Sequence, residues 1–198
     1  MIQFSNISDE EPYKKLYSYY NEALKLKQKN IQILSISLFN NIKNEVDSRY
    51  VNLKIVNKKK FIFFTNYKSP KSIQFKAHDQ VSALLFWDSL NLQIRMQARI
   101  KKTSKEYNDE YFLNRSVSKN ALAISSLQSS KIDCYEDVIK KYEKTKKNKN
   151  LKKCPNYWGG FQFIPYKFEF WEGHRDRLNK RLLYEYDGNV WNEFFLEP

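Results

Sequence analysis

The chain has 198 residues, of which 41% are hydrophobic and 16% aromatic, and a net charge of +13 at pH 7. This length and apolar content predict one folded domain with a hydrophobic core of its own, and they argue against an intrinsically disordered chain. No apolar run is long enough for a transmembrane helix, and Met1–Glu11 has no apolar segment of the kind found in secretory signals.

The first half of the chain predicts a helix, a β-hairpin and a second, short helix. Within the first helix, Leu16, Tyr20 and Leu24 recur at helical spacing. A proline after Ser69 marks the start of the second helix. The predicted elements are, in chain order, a helix at 11–29, a strand at 49–56, a polar turn at 57–60, a strand at 61–65 and a helix at 69–78.

The second half alternates strands with helices in no regular order. Its predicted elements are strands at 81–87 and 93–100, helices at 106–113, 119–127 and 134–147, a strand at 161–171, and strands at 182–186 and 190–196. The sequence Asp187-Gly188-Asn189 joins the last two strands as a hairpin. About seven hairpin-linked strands with inserted helices predict a β-rich α+β fold, an antiparallel β-barrel with peripheral helices.

Glycine is confined to the end of the chain. The first 158 residues contain none, and the four glycines are Gly159, Gly160, Gly173 and Gly188. Glycine is used where a backbone takes positive φ or comes very close to another group. Trp158, Trp171 and closely spaced arginines share this region. The combination predicts a site for a flat, anionic ligand.

Several classes of site are not expected from this sequence. The absence of early glycines excludes a P-loop and a dinucleotide-binding fingerprint. No metal site is expected, because His78 and His174 are far apart in the sequence and the chain has only two cysteines. Those cysteines, Cys134 and Cys154, are predicted to be free thiols in a reducing compartment, so we predict a cytoplasmic location.

A lysine-rich segment at Lys140–Lys153 carries over half of the net charge. It contains eight lysines and one acidic residue, Glu143. Such a segment allows two interpretations, a nucleic-acid-binding surface or a solvated helix end and loop. Tyr142 is its only aromatic residue, so base stacking is poorly supported and the solvated segment is favoured.

Sequence blocks across most of the chain resemble one enzyme family. Tyr157-Trp158-Gly159-Gly160-Phe161, Glu169-Phe170-Trp171 and Arg177-Leu178 with Arg181 closely resemble the C-terminal signature of the pyridoxamine 5′-phosphate oxidase family. Earlier blocks resemble other parts of that family in the same order. These blocks are Ser48–Lys54, Phe64–Asn66, Ser69–Lys71, Gln93–Arg95, Tyr111 with Arg115, and Leu127–Ser130. Together they cover residues 49–198.

The resemblance implies a split β-barrel that forms a homodimer and binds FMN at the subunit interface. Residues 1–45 would be an N-terminal helical extension, and residues 46–198 the FMN-binding domain. Arg49, Thr65 and Lys71 would bind the FMN phosphate and ribityl chain from one subunit, and Gln93 would approach the flavin ring. Residues from the other subunit would be Gln128, Ser129, Trp171 and Arg181. Lys54 and Phe64 complete the implied cofactor set.

The resemblance also implies the substrate and the reaction. Lys54, Tyr111, Arg115 and Lys119 would hold the phosphate of pyridoxamine or pyridoxine 5′-phosphate, and Arg177 and Asn179 would act at the pyridine ring as catalytic residues. The implied reaction transfers a hydride from C4′ of the substrate to the flavin, which oxygen reoxidises. The implied product is pyridoxal 5′-phosphate. No membrane or nucleic-acid partner is expected.

Three positions depart from the family pattern. Asn179 stands where the family has histidine, Pro70 where it has arginine, and Lys119 where it has serine. Asparagine forms hydrogen bonds but carries no proton or positive charge. Nearby His174 is either a substitute for the missing histidine or a turn residue. The sequence therefore leaves open an oxidase of the usual substrate, or a flavin-binding relative with altered or lost catalysis.

Overall fold

The computed structural model describes residues 1–41, 43–147 and 150–198, which form ten strands and five α-helices. The strands are β1 Gln3–Ser5, β2 Ile33–Asn40, β3 Glu45–Asn52, β4 Ile55–Asn57, β5 Lys60–Asn66, β6 Gln80–Trp87, β7 Leu92–Lys102, β8 Trp158–Glu172, β9 Lys180–Tyr186 and β10 Trp191–Leu196. The helices are α1 Glu11–Lys25, α2 Pro70–Ala77, α3 Lys105–Leu113, α4 Val117–Ser125 and α5 Tyr135–Lys146.

All ten strands belong to one sheet, which is antiparallel except for the short β1–β4 pair. Its order is β1-β4-β5-β8-β7-β6-β2-β3, and β9 pairs with both β8 and β10. The longest strand, β8, has 15 residues; it pairs with β5 through its first half, with β9 through its second half and with β7 along most of its length. The fold is thus the predicted antiparallel, split β-barrel of the α+β class with peripheral helices.

Strands β1 and β2 were not predicted, and strands β3 and β4 were predicted as one strand. The strand predicted at 49–56 is two strands, because β3 pairs with β2 while β4 turns away to pair with β5. Residues 1–45 contain the predicted helix but also β1 and β2, and β2 lies inside the sheet between β3 and β6. The alternation of buried Leu34, Ile36 and Leu38 with serines is the period-2 pattern that marks β2.

The core is unusually rich in aromatic side chains. Phe61, Phe63, Phe163, Phe168 and Phe170 have no exposed surface. Helix α1 covers one end of this cluster with its buried face, formed by Tyr13, Leu16, Tyr20 and Ala23. The ring of Tyr13 packs edge-on against Phe168, with their centroids 5.2 Å apart. This burial, rather than helix propensity, holds the N-terminal helix on the barrel.

Two further features of the chain are the state of its cysteines and the length of its helices. Cys134 is exposed, Cys154 is partly buried, and both are free thiols. Among the residues that the structure describes, no helix is both long enough and apolar enough to cross a bilayer.

Candidate functional site

A cleft of about 580 Å³ opens between strands β3 and β5 on one side and helices α2, α3 and α4 on the other. It brings together ten of the predicted site residues, which come from six separate segments of the chain. They are Arg49, Lys54, Phe64, Thr65, Lys71, Tyr111, Arg115, Lys119, Gln128 and Ser129. Five of the ten are cations, so the cleft is strongly positive and suited to anionic ligands.

Arg49 and Lys71 form the more buried group of cations in this cleft. The Lys71 side chain is almost completely buried, and its Nζ donates to Ser69 Oγ at 3.1 Å. Burial, with a smaller effect of the Arg49 charge, lowers the pKa of Lys71 to about 8. Arg49 pairs with Asp47, yet its buried Nε has no hydrogen-bond partner among the described residues. An ammonium without an acidic partner among the described residues, near an unsatisfied guanidinium nitrogen, fits a phosphate group.

Lys54, Arg115 and Lys119 form a second cationic group in the same cleft. Burial lowers the pKa of Lys54, and the charges of Lys119 and Arg115 lower it further. Arg115 is fixed at the end of α3, where its Nη1 donates to the Lys119 carbonyl at 2.9 Å. Burial also lowers the pKa of the Arg115 guanidinium. A second anion, separate from the one at Lys71, would reduce the mutual repulsion of these three cations.

The cleft includes Gln128 and Ser129, which correct one implied assignment. Gln128 Oε1 accepts hydrogen bonds from Thr65 Oγ1 at 3.0 Å and from the Asn66 amide at 3.2 Å. Ser129 has a left-handed backbone, with φ at 69°. Both residues therefore line the cleft together with Thr65 of their own chain. Their implied assignment to the other subunit is wrong. Left-handed non-glycine residues often mark binding sites.

An aromatic stack forms the wall of the cleft. The rings of Phe64 and Tyr111 lie parallel, with centroids 3.6 Å apart, and the Trp158 ring is nearly parallel to both, 5.3 Å from Phe64 and 6.4 Å from Tyr111. The Arg115 guanidinium lies 4.9 Å from the Trp158 ring centroid. The stack links β5, α3 and β8, and it holds Tyr111 and Arg115 in fixed positions over the cleft.

A buried polar network that the sequence analysis did not identify anchors α3 to the barrel. Asn108 Oδ1 accepts from the Gly160 amide at 2.8 Å and from Thr103 Oγ1 at 2.6 Å, and Asn108 Nδ2 donates to Tyr67 Oη at 3.0 Å. A Cβ at Gly159 would overlap the Tyr67 and Asn108 side chains. The paired glycines therefore serve close packing inside strand β8, one of the two uses of glycine considered from the sequence.

Three other predicted residues lie side by side elsewhere on the sheet. Gln93 on β7 pairs with Trp171 on β8, which pairs with Arg181 on β9. Trp171 is far along β8 from Gly160, the residue that pairs with Phe64 of the cleft. At ~3.3 Å per residue, this separation is about 35 Å along the strand. None of the three lines the cleft of the same chain.

The loop between β8 and β9 carries the two predicted catalytic residues, and a set of local hydrogen bonds shapes it. Asn179 Oδ1 accepts from the His174 amide at 3.0 Å, and the Arg177 amide donates to the His174 carbonyl at 3.0 Å. Arg177 itself has a left-handed φ of 61° and an exposed side chain. Asn179 thus closes the loop, and His174 is a turn residue within it.

We expect Asn179→Ala to loosen this loop without unfolding the protein. One neutral hydrogen bond contributes about 1 kcal/mol, so exchange of the His174 amide should accelerate about fivefold to tenfold. Hydrogen exchange followed by NMR measures this rate. The amides of Asn189 and Val190, held by Asp187 Oδ1 in the next hairpin, are the internal reference and should not change. An unchanged His174 rate would contradict the assigned role of Asn179.

The lysine-rich segment lies apart from these groups. Helix α5 holds several of its lysines and has no buried residue. Lys146 lies over the Tyr142 ring at 5.8 Å, so the segment's only aromatic side chain already has a cation beside it. Lys149 lies outside the described residues. Within the described residues this segment is a helix without a buried residue, and the preference for a solvated segment over a nucleic-acid-binding surface stays a prediction.

The fold and the cleft define a class of protein, a split barrel with a bipartite cationic site. Sequence comparison makes the class specific. A family model described as the pyridoxine 5′-phosphate oxidase C-terminal dimerisation region matches residues 158–198. A pyridoxine/pyridoxamine 5′-phosphate oxidase of Rhodopirellula baltica is 34% identical over 97% of this chain and 88% of its own. One from Aliarcobacter butzleri is 35% identical over 96% and 91%. The chain belongs to the pyridoxine/pyridoxamine 5′-phosphate oxidase family.

Solved structures share the fold. PhzG from Burkholderia lata, crystallised with tetrahydrophenazine-1-carboxylic acid, aligns with a TM-score of 0.87 at 25% identity, covering 96% of this chain and 93% of its own. A pyridoxamine 5′-phosphate oxidase-related, FMN-binding protein from Nostoc punctiforme aligns with a TM-score of 0.79 at 11% identity, covering 96% and 99%. The first of these structures thus contains a ring compound other than a pyridoxine derivative.

Proposed function

We propose that this protein is an FMN-dependent oxidase that converts pyridoxamine 5′-phosphate or pyridoxine 5′-phosphate to pyridoxal 5′-phosphate. The observation that carries the proposal is the pair of cationic groups in one cleft, Arg49 with Lys71 and Lys54 with Arg115 and Lys119. Two phosphorylated ligands side by side, a cofactor and a substrate, account for both groups. One phosphate would leave the other group of cations uncompensated.

The residues present fit FMN. In this proposal Lys71 and Arg49 hold its phosphate, since the buried ammonium has no acidic partner among the described residues and Arg49 Nε is unsatisfied. Thr65, Gln128 and Ser129 bind the ribityl chain or the polar edge of the ring, and Phe64 and Lys54 complete the lining. When bound, FMN would supply the acceptor of two electrons and their passage to oxygen.

The remaining cofactor residues require a second copy of the chain. Gln93, Trp171 and Arg181 adjoin one another but lie outside the cleft of their own subunit. We propose a homodimer in which these three residues of one subunit complete the cleft of the other. The match of residues 158–198, which carry Trp171 and Arg181, to a dimerisation region supports this arrangement. Leu178 and Phe195, each about 70% exposed, are apolar residues available for such an interface.

The protein's own contribution to the reaction is binding and orientation of the substrate. Lys54, Arg115 and Lys119 hold its phosphate as charge-assisted partners, and Tyr111 positions it from the aromatic wall. The partner subunit's Arg177, on its exposed loop, reaches the pyridine ring as the catalytic residue. Asn179 shapes that loop rather than exchanging a proton. These residues accelerate the reaction because they hold C4′ of the substrate against the cofactor.

An absorption spectrum of the purified protein tests the proposal. Reconstituted with FMN, the protein should display bound-flavin bands that bleach on anaerobic addition of pyridoxamine 5′-phosphate and return with oxygen. Aldehyde product and hydrogen peroxide should form in equal amounts. A protein that takes up no FMN would overturn the cofactor and the activity together. Flavin bands that persist with this substrate would overturn the oxidase activity alone.

A second candidate function is oxidation of another ring compound by the same flavin site. Two observations favour it: Asn179 is used to close the loop, and Lys119 adds a charge where the family has serine. The similarity to PhzG supports such a change of substrate within the fold. This candidate predicts persistent flavin bands with pyridoxamine 5′-phosphate and bleaching with a different anionic ring substrate.

We expect Lys119→Ser to raise the KM for pyridoxamine 5′-phosphate about tenfold while FMN affinity stays unchanged. The change replaces a cation of the second group with a neutral donor, a loss of about 1.5 kcal/mol for a phosphate contact. Steady-state kinetics and FMN titration measure the two quantities. Lys144→Ser on exposed α5 is the matched control and should alter neither. A KM unaffected by Lys119→Ser would remove Lys119 from the substrate site.

A further inference from the structure

Glu169 is a buried carboxylate between two arginines, and no role assigned above uses it. It lies on β8 and is only 6% exposed. Its Oε2 is 3.0 Å from Arg95 Nη1 and its Oε1 is 2.9 Å from Arg181 Nε. Each oxygen therefore serves a different guanidinium. A buried carboxylate is costly unless it is paired in this way, so its two partners are held firmly.

The strand register places this cluster directly beside the second part of the flavin site. Residues two apart on a strand share a face, as do paired residues on neighbouring strands. Glu169 and Trp171 thus lie on one face of β8, with Arg95 and Gln93 beside them on β7 and Arg181 on β9. Glu169 and Arg95 therefore border the row formed by Gln93, Trp171 and Arg181, and Arg181 belongs both to the row and to the ionic cluster.

Arg181 is restrained by two contacts at once. Its Nε is held by Glu169, and its Nη1 donates to the Glu197 carbonyl at 2.9 Å. A guanidinium has five N–H donors in a rigid plane, so fixing two nitrogens sets the direction of the third. The side chain remains 25% exposed, so part of it is accessible to a ligand.

We propose that Glu169 is a positioning residue that orients Arg181 toward FMN in the partner subunit's cleft. The proposal rests on the proposed function, because it takes Arg181 as a cofactor ligand. Arg95 balances the second carboxylate oxygen, so the cluster keeps a net positive charge facing the flavin. Without Glu169 the two guanidinium groups would repel each other, and Arg181 would be free to turn away from the cofactor.

A double-mutant cycle on the full-length dimer tests this role. FMN affinity is measured by fluorescence titration for wild type, Glu169→Gln, Arg181→Gln and the double variant. Glu169→Gln should weaken FMN binding about tenfold in the wild-type background and less than twofold in the Arg181→Gln background. This loss of additivity distinguishes a residue acting through Arg181 from one that only stabilises the fold.

Controls make the outcomes decisive. Glu185→Gln removes the Lys167–Glu185 ion pair, which joins the same two strands with a distance of 2.6 Å, and should leave FMN affinity unchanged. If Glu169→Gln does not fold, Glu169→Asp keeps the charge at a shorter reach and should give a smaller loss with the same non-additivity. Equal losses in both backgrounds, or no loss, would overturn the inference. FMN binding by the wild type would still stand, so failure of the proposed function is recognised separately.

Discussion

Replacing Lys71 with methionine is expected to weaken FMN binding by about 100-fold or more while the protein stays folded. Lys71 is the most buried cation of the cleft; its Nζ donates to the Ser69 hydroxyl, and no acidic partner pairs with it among the described residues. A charge-assisted contact to a phosphate in such a position contributes about 3 kcal/mol, which corresponds to this loss. Methionine keeps most of the side-chain volume, so the fold should tolerate it. Fluorescence titration of the apoprotein with FMN measures the dissociation constant.

The matched control for this prediction is Lys68→Met. Lys68 lies three residues away in the turn before α2, but it is exposed and its Nζ lies 5.4 Å from the centroid of the Tyr157 ring. It does not line the cleft, so FMN affinity should be retained. If Lys71→Met binds FMN as tightly as wild type, the phosphate does not lie against Lys71, and the placement of the cofactor is wrong.

The same residue predicts how FMN affinity depends on pH. The pKa of Lys71 in the free protein is lowered to about 8, so the ammonium loses its proton as the pH rises through that value. Phosphate binding requires the protonated form, hence FMN binding takes up a proton above pH 8. Affinity should then fall by up to about tenfold per pH unit, whereas Lys71→Arg should stay flat because its guanidinium remains charged. A flat wild-type profile from pH 7 to 9.5 would contradict this assignment.

Mixing two inactive variants should restore about one quarter of the FMN sites. Lys71→Met damages the cleft, and Trp171→Ala damages the part of the site that the other subunit supplies, so neither homodimer binds FMN well. When subunits exchange at random, half of the dimers are mixed, and each contains one site in which both halves are intact. Co-refolding equal amounts, followed by measurement of bound flavin per subunit, tests the expected fraction.

A second mixture serves as the control for subunit complementation. Lys71→Met and Arg49→Met both damage the cleft, so each site of a mixed dimer keeps one defect and no FMN binding should return. If the Lys71 and Trp171 mixture also stays without flavin although mixed dimers form, the site is not shared between subunits. That result would require Trp171 to act within its own chain, against the distance along β8.

Local sequence patterns were sufficient for most elements of this fold. Proline after Ser69 marked α2, and Asp187-Gly188-Asn189 marked the β9–β10 hairpin. The strand β2 was missed although its alternation of Leu34, Ile36 and Leu38 is clear. The division of 49–56 into β3 and β4 was also missed: β3 pairs with the strand before it and β4 with the strand after it, so the break falls between two consecutive hairpins inside one continuous β-rich stretch.

The sequence by itself determined the family, the barrel class and the identity of most cleft residues, because these depend on residue types in a fixed order. Only the tertiary structure decided which residues share a site: Gln128 lies beside Thr65 of its own chain, and Trp171 does not. It also gave Asn179 a loop-closing bond and revealed the Asn108 and Glu169 networks. Such roles depend on distances between strands that pair through the barrel, and a linear pattern carries no information on those distances.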